Sequence, residues 1–140
     1  MYYDNLIDAT EQLITALLEA ISEDLEGINE VPSYEDMRKR KTLYDKYGRS
    51  AELSTRVSER LALAYKARSQ LKQARKNIHQ DPDLPGTLSS RYRAQIEHQE
   101  NILQDLINGL LQKKEGIDSM VRFYSSVQYI LGSPRLDTMT

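Results

Sequence analysis

The sequence predicts an all-α protein, an elongated antiparallel helical hairpin or three-helix bundle with coiled-coil-like packing. Three observations predict it. The four prolines stand at 32, 82, 85 and 134 and leave three long proline-free segments, 1–31, 33–81 and 86–133. Proline is excluded from helix interiors, so each segment is a candidate for one long helix. Apolar residues recur through all three at helical rather than strand spacing. The 140 residues show no repeat, low-complexity tract or shift of composition that would mark a second domain, so one helical domain is expected over 1–140.

The first helix is expected over about residues 4–29. Ile7, Ile14, Ile21 and Ile28 recur every seven residues, flanked by Leu6, Leu13, Leu17, Leu18 and Leu25. This makes a broad apolar stripe of helical period. Gly27, Asn29 and Pro32 supply the stop. Ser33, followed by Glu35 and Asp36, reads as the cap of a second helix over 34–79. Its first turns are irregular, and Gly48-Arg49-Ser50 admits either one kinked helix or two helices. Beyond it, Leu53, Val57, Leu61, Ala64, Ala67, Leu71, Ala74 and Ile78 step by three or four. Residues 80–89 read as the loop, with Ser89 or Ser90 capping a third helix over 90–131. That helix carries the most regular heptad, including Tyr92, Ile96, Gln99, Leu103, Leu106, Leu110, Lys113, Ile117, Met120, Tyr124, Val127 and Leu131. Its 42 residues would span roughly 60 Å. Gly132 and Pro134 end it, and 133–140 is expected to be a frayed tail.

A formal charge of −2 conceals a strong segregation. Residues 1–37 contain ten acids and no lysine or arginine, whereas residues 38–76 contain 13 basic and three acidic residues. The simplest expectation places the acidic first helix beside the basic second one, where the charges select antiparallel register more than they add stability. The sharper reading makes the basic stripe an anion or nucleic-acid site. Arg38, Lys39, Arg40 and Lys41 would form its densest cluster, and Lys66 and Arg68 would lie further along the helix.

Catalytic chemistry is not visible. The absence of cysteine excludes disulfides, thiolate metal sites and cysteine nucleophiles. No phosphate-binding glycine loop, serine-nucleophile elbow or His-Glu metalloprotease motif occurs. His79 reads as a partner for a helix C-terminus, and His98 as part of a solvated face. No catalytic residue, metal ligand or cofactor is therefore expected, and the chain is read as a non-enzyme. Tyr44, Tyr65, Tyr92 and Tyr124 fall on or near apolar stripes and read as core or boundary residues; Tyr2, Tyr3 and Tyr129 read as exposed ends. Gly109 and Gly116, seven apart, are either tolerated on an exposed face or form a notch for another helix backbone. No apolar run approaches the roughly 18–20 residues that span a bilayer, and the first residues lack the basic region of a signal peptide, so a cytoplasmic protein is expected.

The arrangement resembles the flagellar type III export chaperones of the FlgN class. The resemblance rests on the acidic helix start Leu6-Ile7-Asp8-Ala9-Thr10-Glu11-Gln12-Leu13, the stretch Lys41-Thr42-Leu43-Tyr44, and the segment from Leu84 to Leu111 with Leu88, Arg91, Asn101 and Leu103. It implies a cytoplasmic chaperone or adaptor that holds an amphipathic partner helix, such as a flagellar export substrate, against its last helix. Leu103, Leu106, Leu110, Ile117 and Val121 would line that groove. The Lys66-Ala67-Arg68 run in a basic second helix also resembles phage recombination mediators of the UvsY type. That likeness implies an oligomer that binds single-stranded DNA and loads a recombinase. A structural subunit of a larger assembly is a third reading.

Overall fold

The computed structural model describes the backbone of residues 2–25 and 40–131, with the side chains of 2–24, 45–127, 129 and 130. It contains three helices: α1 (Tyr2–Leu25), α2 (Arg40–Gln80) and α3 (Gly86–Leu131). The stop at Gly27–Pro32, the Ser33 cap, the side chain of Tyr44 and the tail after Leu131 lie outside the described residues. Gly48 does not break α2, which runs through it as one helix. Glycine costs a helix about 1 kcal/mol relative to alanine, too little to interrupt a helix anchored by packing on its C-terminal side.

The turn is shorter than the sequence suggested. α3 begins at Gly86, so Ser89 and Ser90 lie inside the helix and do not cap it. The Ser89 amide donates to the Pro85 carbonyl at 2.8 Å, and the Asp83 amide donates to the Asp81 carboxylate at 3.0 Å. An Asx turn followed by proline thus reverses the chain within residues 81–85. Leu84 and Leu88 plug this end of the core.

α2 and α3 form the antiparallel hairpin, and their seam carries most of the tertiary contact. Ser54 stands opposite Asp118, and Arg68 stands opposite Gln104. The expected stripes meet in this seam: Val57, Leu61, Leu71 and Ile78 from α2, and Ile96, Leu103, Ile107, Leu110 and Ile117 from α3, are all buried. Each such side chain contributes about 1.5–3 kcal/mol of hydrophobic stabilisation. Ala64, Ala67 and Ala74, also buried, let neighbouring helices approach closely.

α1 lies along this hairpin and packs on both helices. It runs parallel to α3: the Tyr92 hydroxyl donates to Asp4 at 2.9 Å, and the Gln99 amide donates to the Ile7 carbonyl at 2.8 Å. It therefore runs antiparallel to α2, and at its other end Asp24 lies 3.6 Å from Arg56 and 3.5 Å from Arg60. Ile7, Thr10, Ile14 and Leu17 are its buried positions. α1 starts at the hairpin turn and reaches only to the height of Arg56. Beyond that point lie the first turns of α2 and the last turns of α3, with no α1 residue over them among the described residues.

Candidate interaction surfaces

Leu103, Leu110 and Ile117 are 0–3% exposed, because they face α2 across the seam. Leu106 and Val121 are half-buried against the same core. In the folded chain the first three form the hairpin interior and are not an open groove. The open apolar surface of α3 lies on a neighbouring row.

That row begins under α1. Gln99 contacts Ile7, and Ile102 and Leu106, three and seven residues on, pack against the core. Continuing by steps of three and four, the row passes Gly109, Lys113 and Gly116 and then reaches Met120, Phe123, Val127 and Ile130. Such steps keep side chains on one helix face. Phe123 is 45% and Ile130 57% exposed, while Met120 and Val127 are half-buried. A Cβ added at Gly109 or Gly116 would meet no atom within 4 Å. The row that Gln99, Ile102 and Leu106 begin beside α1 is open at Gly109, still within α1's length, and at Gly116, level with its end, and is apolar and exposed again at Phe123 and Ile130. Phe123 and Ile130 were not singled out in the sequence because they stand one position off the heptad seam, the usual place for solvated residues. The signal was the second 3–4 row beside the first.

Among the described residues, the charge segregation is only partly consumed by ion pairs. Among the described residues, Asp24 of α1 pairs with α2 through Arg56 and Arg60. Arg75 pairs with Glu100 at 3.1 Å, and Arg68 donates to Gln104 at 2.5 Å while lying 5.1 Å from the Tyr65 ring centre. Arg56 and Arg60 thus turn toward α1, and Arg68 and Arg75 toward the opposite flank. Lys72 and Lys76 follow Arg68 and Lys72 by one helical turn and share that opposite flank. Lys66, Lys72 and Lys76 are exposed, and no ion pair engages them among the described residues. Residues 61–80 contain five basic residues and no acid. Arg38 and Lys39 lie outside the described residues; Arg40 and Lys41 open α2, and their side chains are likewise outside.

On α1, Asp8, Glu11 and Glu19 share an exposed, shallow surface with Gln12, Thr15 and Ala16. It faces away from the buried Ile7, Ile14 and Leu17. Tyr65 is exposed where a core or boundary position was expected; Tyr92 and Tyr124 are buried, Tyr3 is half-buried against Tyr92, and Tyr2 and Tyr129 are exposed. His79 stands in the last turn of α2.

Polar contacts shift the titration of Tyr92 and Asp118. The hydrogen bond to Asp4 raises the Tyr92 phenol, because losing its proton beside a carboxylate is costly. Hydrogen bonds from Lys114, at 2.7 Å, and from Ser54, at 2.5 Å, lower Asp118. Among the described residues no group of three His, Asp or Glu side chains is placed to hold a metal ion. No helix among them is long and apolar enough to cross a membrane. Comparison with known protein families, curated proteins and solved structures gives no match to this chain.

Proposed function

We propose that this protein is a non-enzymatic helical adaptor or chaperone that holds an amphipathic helix of a protein partner, in the manner of a flagellar export chaperone. One observation carries the reading: the α3 track filled by α1 near the turn continues past Gly116 as an exposed apolar row through Phe123 and Ile130. A partner helix laid there extends α1 end to end and covers apolar surface by helix-in-groove docking. This moves the docking site from Leu103, Leu110 and Ile117 to the next row. The test is fluorescence anisotropy with a panel of labelled amphipathic helical peptides taken from flagellar export substrates. Phe123→Ser with Ile130→Ser should weaken binding at least tenfold in a protein whose melting is unchanged. Binding that survives both substitutions, or a panel with no binder, refutes the reading.

A second reading, an oligomeric mediator that binds single-stranded nucleic acid, is favoured by lysines of α2 that engage no ion pair among the described residues. Lys66, Lys72 and Lys76 would contact phosphates beside Arg68 and the exposed Tyr65, with Arg38, Lys39, Arg40 and Lys41 extending the stripe. It requires oligonucleotide affinity that falls steeply with salt, and salt-independent binding or none refutes it. Both readings place the protein in the cytoplasm.

A further inference from the structure

The outward face of α1 and the far flank of α2 carry opposite charges at matching heights. Asp24 sits beside Arg60, and α1 and α2 run antiparallel from that point toward the turn. Asp8 lies sixteen residues before Asp24, and Lys76 lies sixteen residues after Arg60. Both are therefore displaced by about 24 Å in the same direction. Glu11 and Lys72, thirteen and twelve residues along, also match. Within one molecule these groups cannot meet, because Asp8 and Glu11 point away from the hairpin, whereas Lys72 and Lys76 share the flank of Arg68 and Arg75, which turns away from α1.

From this geometry we infer that the acidic face of α1 docks on the basic flank of α2 of a second copy of the chain. Two bundles laid side by side with their axes aligned bring Asp8 and Glu11 of one copy against Lys76 and Lys72 of the next without any axial slide. Glu19 arrives near the height of Lys66 and Arg68. The two surfaces are different patches pointing in different directions, so the contact is heterologous and repeats from copy to copy. Exposed ion pairs are individually weak and screened by salt, so the assembly forms at low ionic strength and dissociates as salt is raised. The inference does not rest on helix docking by α3. It assigns the α2 lysines to another copy of the chain, and nucleic acid would compete for them.

The test is light scattering coupled to size exclusion on nucleic-acid-free protein. Native protein should exceed the 16.2 kDa monomer mass at low ionic strength and return to it at high ionic strength. Asp8→Lys with Glu11→Lys should give a monomer, as should Lys72→Glu with Lys76→Glu. An equimolar mixture of these two variants, each shown to be helical by circular dichroism, should regain the native mass. A variant carrying all four substitutions should assemble alone. Native protein that is monomeric at low salt, either two-substitution variant assembling by itself like the native chain, or a mixture of folded two-substitution variants that stays monomeric would each overturn the inference. Assembly seen only before nucleic acid is removed from the protein would also overturn it, by assigning the lysines to nucleic acid.

Discussion

Replacing Gln99 by leucine should stabilise the protein, although it deletes a hydrogen bond between helices. Gln99 is 7% exposed and sits where α3 meets α1. Its Nε2 donates to the Ile7 carbonyl at 2.8 Å, while its Oε1 is buried with no hydrogen-bond partner. The Ile7 carbonyl is an interior position of α1 and keeps its i+4 amide, so losing Gln99 does not orphan it. The deletion costs about 1 kcal/mol for the bond and recovers about 1–3 kcal/mol by removing an unsatisfied buried oxygen. Leucine has nearly the same volume and adds roughly 1 kcal/mol of apolar burial. The net expectation is about 1–3 kcal/mol of added stability. Gln99→Ala leaves a cavity in the same place and should fall below Gln99→Leu by about 2–5 kcal/mol. Urea unfolding measures both, and unchanged slopes would show that the difference lies in stability rather than in the extent of unfolding. A Gln99→Leu protein less stable than the native by more than about 1 kcal/mol refutes the argument. It would mean that α1 depends on this bond more than on the apolar surface it covers.

Gly109→Ala and Gly116→Ala should each stabilise the protein by about 1 kcal/mol, since both sites are helical and open, and raise Tm by a few degrees. A loss of stability in either would place an unseen helix against α3. Asp24→Ala should cost about 1–2 kcal/mol, because the Asp24 carboxylate is 8% exposed while Arg56 and Arg60 keep partial solvation. Faster hydrogen exchange confined to α1 would report it, and unchanged α1 protection would count against the pair. The pH dependence has two signs. Asp118 is lowered in the fold, so its contribution is present above the unfolded carboxylate value and is lost as pH falls through the folded one. Tyr92 is raised, so its contribution is present below the ordinary phenol value and is lost as pH rises through the folded one. Alkaline unfolding should therefore begin with exchange in α1, and Tyr92→Phe should reduce that step, leaving the part carried by Tyr3, which burial also raises.

The helices and the seam were legible because one physical rule governs both. Val57, Leu61 and Leu71 must repeat at the helical period if they are to stay on the buried face, and Leu103, Leu110 and Ile117 must do the same to meet them. The ends of elements were less legible, because a cap is a local choice among similar residues. Ser89 looked like a cap, yet Pro85 offers a fixed backbone and an acceptor carbonyl four residues earlier. At Gly48 a weak local preference lost to packing along α2. The antiparallel direction of α1 against α2 was legible in the segregated charge, whereas the contacts that fix it are single polar pairs the pattern does not name: Asp4 with Tyr92 and Asp24 with Arg60.

The candidate surfaces were hidden for a related reason. A period identifies an apolar face without saying which neighbour covers it. The residues of α3 expected to hold a partner are the most regular, and regularity is the property that commits them to the hairpin. A site for a second helix has to use what the hairpin leaves over, which is the row one position aside, and there the pattern is diluted by Gly109, Lys113 and Gly116. The same logic applies to charge. Opposite charges in two adjacent helices look like internal partners, but helices that pack through apolar stripes turn their most charged faces outward. Only residues at the stripe edge, such as Asp24, Arg56 and Arg60, can meet within one molecule. Among the described residues, Asp8, Glu11, Lys72 and Lys76 stay exposed, and the proposed contact with a second copy of the chain would pair them at matching heights.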